Sequence, residues 1–339
     1  MTLPASDPAA PLVSIVTPVY NGARYLRECI ESVLAQSYAN WRYLILNNRS
    51  TDDTLPIAQH YAALDPRIRV HDAQAFLPII ENHNRALALI DADSRYCKPL
   101  MADDRLYPAC IETLVAAAEV QPGTGLVCCL GMTASGELLF DYLPGADGAT
   151  SHLSGRAAGR LSFLEDRHFF GSPSSMLVRA DLIRRRSPFY DTHNLHADAQ
   201  SCYDILRESD FAFVHEPLVF VRLHEASHAA ELRDLESIMA GRMYTLSRYG
   251  RDYLDAREFA RRFAARRRQY YARLAAAAVR LPGAEFWNFH RRMLELSGAP
   301  FERARLARAV AAYGAKRLGS PVALARGIAH RLGGSERSG

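Results

Sequence analysis

Two adjacent carboxylates, Asp103 and Asp104, follow the apolar run from Tyr96 to Met101 and precede a polar turn into Pro108. Carboxylates side by side at an exposed strand end repel one another, and something positive has to offset that repulsion. A hard divalent cation bound through oxygen does so, and a cation held there can also bridge a diphosphate. The competing reading is an acidic pair that caps the next helix. One pair of residues does not separate the two.

A second chemical signal is basic. Between Arg257 and Arg273, Arg261-Arg262 and Arg266-Arg267-Arg268 are interleaved with Phe259, Phe263, Tyr270 and Tyr271. A basic amphipathic helix of this kind could lie on an anionic membrane, bind nucleic acid, or present a solvated face while packing on the rest of the chain. From Glu231 onward there are 22 Lys and Arg against 10 Asp and Glu, a balance of +12, whereas the first 230 residues carry −8. Such a split points to two functional regions.

The elements that must position these groups follow from periodicity. Leu12–Tyr20 reads as a buried strand, Asn21-Gly22 as a turn, and Ala23–Gln36 as a helix with apolar residues at helical spacing. Strands at 41–46, 68–70, 96–101 and 125–130 alternate with helices ending near 63, 90 and 120. Asp52 or Ser50 is placed to cap the second helix. This βα alternation is that of an open, mainly parallel sheet with helices on both faces, a Rossmann-like α/β fold. Such sheets bind ligands beyond the carboxyl ends of their strands. The loops at Thr17–Asn21, Asn47–Ser50 and Ala102–Asp104 are therefore the places to look. A short helix near 200–209 and strands at 211–214 and 219–223 follow, and the chain is helical in character after Glu231.

The 339 residues suit a catalytic domain with an appendage, and no apolar run approaches the ~18 residues that span a bilayer. Residues 1–11 read as a disordered leader without the basic and apolar regions of a signal peptide. Six cysteines without a CxxC pair read as buried apolar fillers in a reducing cytoplasm.

Taken together, Val13-Ser-Ile-Val-Thr-Pro-Val-Tyr-Asn-Gly22, Ser32–Ser37 and Asn48-Arg-Ser-Thr-Asp52 resemble the opening of the family 2 glycosyltransferases. Asn82-His-Asn-Arg-Ala-Leu87, Met101-Ala-Asp-Asp-Arg-Leu-Tyr-Pro108, Gly171–Ser175, Ala197-Asp198 and Glu216–Ser227 resemble later blocks of that family, in order. The resemblance covers residues 12–228. It implies an inverting, nucleotide-sugar-dependent enzyme of GT-A fold, with a nucleotide half at 12–130, an acceptor half at 131–230 and a basic helical region at 231–339. It also implies Mn²⁺ or Mg²⁺ on Asp104, with Asp103 beside it on ribose or metal, and His224 approaching the diphosphate or completing the metal shell. Asp198 stands at the position of the catalytic base; as a residue it could equally be a helix N-cap, and His224 a structural histidine. Thr17, Pro18, Tyr20, Asn47, Asn48, Asn84 and Arg85 fall in the donor-binding set.

One block departs from the family. Where an acidic residue usually accepts the uracil N3–H, this chain has Asn47. Its amide oxygen could still accept that proton, and the missing carboxylate speaks against guanine, so a uridine-linked donor is favoured. The expected acceptor is a saccharide or lipid-linked hydroxyl. The expected location is cytoplasmic, with the C-terminal region on the inner membrane face and no nucleic acid bound. Transfer of another activated group remains open at this point, although the loop Thr17–Gly22 lacks the Gly-rich, basic phosphate loop of nucleotidyl transfer. A non-catalytic binding relative is the third alternative, and the intact acidic residues oppose it.

Overall fold

The computed structural model describes residues 10–139, 141, 143, 148–223 and 236–318. Residues 1–9 of the expected leader, His224 and Glu225 lie outside these. Two compact units divide the chain, one drawn from Met1–Ala230 with Asp252–Leu254, the other from Glu231–Arg251 and Asp255–Gly339.

The first unit runs β1 (Val13–Val19), α1 (Ala23–Leu34), β2 (Trp41–Asn47), α2 (Thr54–Leu64), β3 (Ile68–Asp72), α3 (Ile79–Leu87), β4 (Tyr96–Pro99), β5 (Arg105–Leu106), α4 (Cys110–Glu119) and β6 (Thr124–Met132). It continues with β7 (Leu138–Leu139), β8 (Thr150–Leu153), α5 (Gly155–Glu165), β9 (Met176–Arg179), α6 (Ala180–Arg184), α7 (Ala197–Ile205) and β10 (Asp210–Phe220). The main strands lie in the order β3-β2-β1-β4-β9-β6-β10-β5. β1 is buried along its whole length, as a strand covered on both faces must be. Leu26, Cys29, Ile30 and Val33 of α1 fall on one helical face and are all buried, each large side chain contributing about 1.5–3 kcal/mol. The six cysteines are all buried free thiols, as their apolar surroundings in the sequence imply.

The expected simple parallel order is modified in the middle. β6 does not follow β4; β9 lies between them, antiparallel to both. The two strands expected at 211–214 and 219–223 are one strand, β10, whose register against β6 shifts on either side of Pro217. Proline has no N–H to give the ladder, so the pairing slips there instead of ending. The two-residue β5 pairs antiparallel with Val219 and Phe220. β5 and β9 both bear directly on the acidic pair.

The second unit is helical: α8 (Ser237–Tyr253), α9 (Ala256–Ala278), α10 (Ala284–Leu296) and α11 (Arg303–Leu318). A capping box starts α9, with Asp255 accepting from the backbone of Glu258 and Glu258 returning the bond. The aromatics of the basic stretch face inward: Tyr270 and Tyr271 join Met243, Leu274, Phe286 and Met293 in the core of this unit, and Phe263 packs against it. Arg266 is buried and Arg267 pairs with Glu302. The aromatics interleaved with the arginines are thus the packed face of the amphipathic helix. What remains outward is charge, from Arg257, Arg261, Arg268 and Arg273 of α9 and Arg291 and Arg292 of α10. Among the described residues no helix is long and apolar enough to cross a membrane.

Candidate active site

Asp103 and Asp104 sit in the turn between β4 and β5. The expectation of two exposed carboxylates holds only in part, because Asp104 is 3% exposed while Asp103 is half-buried. Neither caps the next helix, whose N-cap is Ala109. β5 anchors the turn to the end of β10, and two residues beyond that strand the Arg222 N–H donates to Asp104 Oδ1 at 3.0 Å. The Arg222 guanidinium donates to the Asp103 carbonyl at 3.1 Å and to Glu28 at 2.7 Å, and lies over the Tyr25 ring. From the other side, the turn before β9 supplies Ser174, whose hydroxyl accepts the Met101 N–H at 3.0 Å and also bonds Asp104. Burial, with the Asp103 charge beside it, pushes the Asp104 carboxyl from the ordinary 3.8 up to about 7, against the opposing pull of Ser174, the Arg222 N–H and Lys98.

These residues suit a divalent cation. A cation shared with a diphosphate needs one or two protein carboxylates, the remaining ligands being phosphate and water. Here one carboxylate is buried, partly desolvated and destabilised by a second, which is the imbalance a cation relieves. Among the described residues no third His, Cys, Asp or Glu completes a metal cluster, and His224 lies outside them.

The end expected to receive the nucleotide is built where β1, β2 and β3 finish together. Their registers place Val19, Asn47 and Asp72 side by side. Asn21, in the left-handed region at φ 50°, accepts from the Thr51 N–H at 2.8 Å and donates its own N–H to Ser50. The N-cap of α2 is Asp53, not the expected Asp52 or Ser50; Asp52 instead accepts from Ala23 N at the start of α1 and from Thr54 N at the start of α2, so one carboxylate receives the first N–H of two helices. Gly22 is required between them: a Cβ there would lie 2.5 Å from Val19 Cγ2. The polar Asn21–Thr54 signature thus stitches two loops into one floor.

Several residues of the expected donor-binding set have partners inside the protein. Thr17 is fully buried, with its hydroxyl donating to the Leu100 carbonyl at 2.9 Å and 2.9 Å from the Tyr43 hydroxyl; Pro18 is buried in the same strand. Both side chains lie in the core beneath the carboxyl end of β1. Asn47 donates to Asp72 Oδ1 at 2.7 Å, and its oxygen accepts from Ser50 N at 3.3 Å. Asn48 exchanges two hydrogen bonds with the Leu77 backbone, at 2.8 and 2.9 Å. Both amides are spent inside the protein. The carboxylate missing from β2 stands instead on β3: Asp72 is exposed, and no partner within the described residues engages its second oxygen. Beside it, Tyr20 and Phe76 are 49% and 58% exposed and meet edge to face at 5.0 Å. Neither Asp72 nor Phe76 was singled out by the sequence. The signal was available, since parallel β2 and β3 bring their last residues together.

Asp198 lies in the first turn of α7. It is not the N-cap, which is His196, and among the described residues its carboxylate takes no hydrogen bond. Its charge bears on the buried Tyr190 hydroxyl, which is pushed well above 10 by burial first and Asp198 next. Tyr190 exchanges two backbone hydrogen bonds with the Asn84 amide, at 2.9 and 2.7 Å. Asn84 is thus also a clamp, tying the Asp198 side of the site to α3. The neighbouring His83 ring is 3.5 Å from Met101 Sδ, two residues before the acidic pair. Arg85 is exposed and has no ion-pair partner among the described residues.

The family model described as glycosyl transferase family 2 matches residues 14–186. The chain belongs to that family. YibD of Escherichia coli, an uncharacterized glycosyltransferase, is 33% identical over 107 residues, 31% of this chain and 30% of its own length. The chain covers 30%, 13% and 37% of the first curated relatives, well under their full lengths. Among solved structures, S. aureus TarS residues 1–349 in complex with UDP-GlcNAc superposes with a TM-score of 0.61 at 14% identity, over 91% of this chain and 92% of that one. The mannosyltransferase PcManGT of Pyrobaculum calidifontis, in complex with GDP-Man and Mn²⁺, does so with a TM-score of 0.52 at 16% identity, over 94% and 84%. At these identities the likeness establishes the fold: the first unit is GT-A-like, with a helical region after it.

Proposed function

We propose that the protein is an inverting glycosyltransferase that moves a sugar from a nucleoside-diphosphate donor, uridine-linked in preference, to an acceptor hydroxyl. The observation that carries this is the buried Asp104 beside Asp103 at the carboxyl edge of the sheet, where Asp72 and the Tyr20–Phe76 ring pair also stand. Asp104, with His224, would hold a divalent cation, and that cation would neutralise the leaving diphosphate. Asp103 serves ribose or metal, and Arg85 the phosphates. Tyr20 and Phe76 offer apolar ring surface to the base.

Chains of this fold have been solved with UDP-GlcNAc and with GDP-Man, so the fold alone does not choose the base. The preference for uracil rests on Asp72. One of its oxygens is engaged by Asn47, and the second is open to an N–H of the base. Uracil presents a single N3–H, whereas guanine presents two donors to a carboxylate and would leave one unpaired. Asp198 takes the proton from the acceptor hydroxyl, which arrives on the face opposite the leaving diphosphate and so inverts the anomeric carbon. The acceptor is a saccharide or a lipid-linked hydroxyl, and the outward arginines of the second unit favour the anionic inner face of the cytoplasmic membrane.

A thermal-shift series with UDP, GDP, CDP and ADP, with and without Mn²⁺, tests the donor assignment. Ligand at 100 times its dissociation constant stabilises by about 2.7 kcal/mol. The largest shift is expected with UDP and Mn²⁺. A larger shift with GDP would overturn the uridine assignment, and none with any nucleotide would overturn the donor site.

A further inference from the structure

Lys98 lies in β4, fully buried, immediately beneath the turn that carries the acidic pair. Its ammonium donates to the Pro99 carbonyl at 3.2 Å and to the Ser174 carbonyl, and among the described residues it forms no ion pair. An ammonium so placed is costly. Backbone carbonyls satisfy its hydrogens but do not neutralise its charge, and an apolar residue of the same length would fill the space more cheaply. The chain has only one other lysine, Lys316; elsewhere it uses arginine. Lysine, a compact point charge on a flexible stem, fits a narrow core site that a planar guanidinium does not.

Charge balance identifies what Lys98 serves. Asp104 and Asp103 are the carboxylates on the far side of Ser174, whose carbonyl holds Lys98 and whose hydroxyl bonds Asp104 and Met101 N. The Lys98 ammonium and the Asp104 carboxyl therefore share one desolvated region, connected through Ser174, with the half-buried Asp103 beside them. We propose that Lys98 is a built-in counter-charge for the Asp103–Asp104 site, which holds the pair together when no divalent ion is bound and weakens the grip on the ion when one is. The second part follows from the first: a fixed positive charge in low dielectric repels a dication more strongly than it would in water. The ion is then held firmly only when a diphosphate adds its own negative charge, so ion and nucleotide enter and leave together. This inference rests on the metal reading of the same site.

Its test is a pair of measurements on the full chain. Lys98→Gln keeps an N–H donor for the Ser174 carbonyl without the charge, and Lys98→Met removes both. In EDTA, Lys98→Gln is expected to lower the thermal midpoint. That loss should shrink by about 2–4 °C when Asp104→Asn is present, because the counter-charge then has less to balance. With Mn²⁺ alone, free-ion electron paramagnetic resonance is expected to show both Lys98 variants binding Mn²⁺ more tightly than the wild type, by on the order of tenfold. If Lys98→Met does not fold, Lys98→Gln carries the comparison. Equal midpoint losses with and without Asp104→Asn, or unchanged Mn²⁺ affinity, would show Lys98 to be structural only and overturn the proposal. Coupling in EDTA with no Mn²⁺ bound by any variant would instead overturn the metal reading, and with it the part of the inference that concerns the ion.

Discussion

At the scale of single residues the site is defined by carboxylates in unequal surroundings. Asp104 is buried beside Asp103, with Ser174, the Arg222 N–H and Lys98 on its other sides, and its carboxyl is pushed up to about 7. An acid whose folded value lies above its unfolded value stabilises the fold most below the unfolded value, and that contribution is lost as pH rises through the folded one. In EDTA the protein is therefore expected to lose thermal stability between about pH 4 and pH 7, and Asp104→Asn should flatten that slope; urea unfolding across the range reads it directly. Asp198 has a different task. Its substitution by Asn is expected to lower turnover about 10²- to 10⁴-fold while leaving nucleotide affinity nearly unchanged. Normal turnover by Asp198→Asn, measured at saturating donor and acceptor, would move the base elsewhere, with Glu225 the next residue to substitute. The acidic pair was legible in the sequence because its neighbours in the chain already suggest a strand end. Its burial was not, because that depends on Arg222 and Ser174, 118 and 70 positions away.

At the scale of elements, the repeated βα pattern was readable because strand and helix periods are local properties and turns are marked by Asn, Gly, Asp and Pro. The two-residue β5 and the inserted β9 were not, since each exists only through pairing with distant strands. The same limit explains the amides of the nucleotide end. Asn47 and Asn48 sit where the sequence puts them, yet their partners, Asp72 and Leu77, come from the next strand and loop. A prediction belongs to this scale. Asp72→Asn should weaken UDP binding about tenfold, the worth of a hydrogen bond to a charged group, and Phe76→Ala should weaken it by a similar factor through lost ring contact. Asn48→Ala should act indirectly, by releasing the loop that holds Phe76. Isothermal titration with UDP separates these cases. Unchanged affinity in Asp72→Asn would return the base contact to another group.

At the scale of the whole molecule, an acidic-balanced GT-A-like unit is joined to a basic helical one, and the split in charge was plain from residue counts alone. The direction of the aromatics was not, because an amphipathic pattern says that one face is buried without saying against what. With those rings in the core of the second unit, membrane association reduces to charge. Pelleting with anionic vesicles is therefore expected at low salt and should fade as the screening length falls toward ~8–10 Å; equal pelleting with neutral vesicles, or none with either, would contradict it. The central claim is that this sheet edge transfers a sugar. It is tested most directly by incubating the full chain with Mn²⁺ and a panel of nucleotide sugars, including candidate acceptors, and measuring nucleoside diphosphate release. UDP released from a UDP-sugar, dependent on Mn²⁺, abolished by EDTA and lost in Asp104→Asn, is the predicted result. No diphosphate from any donor, or undiminished release by Asp104→Asn, would contradict it.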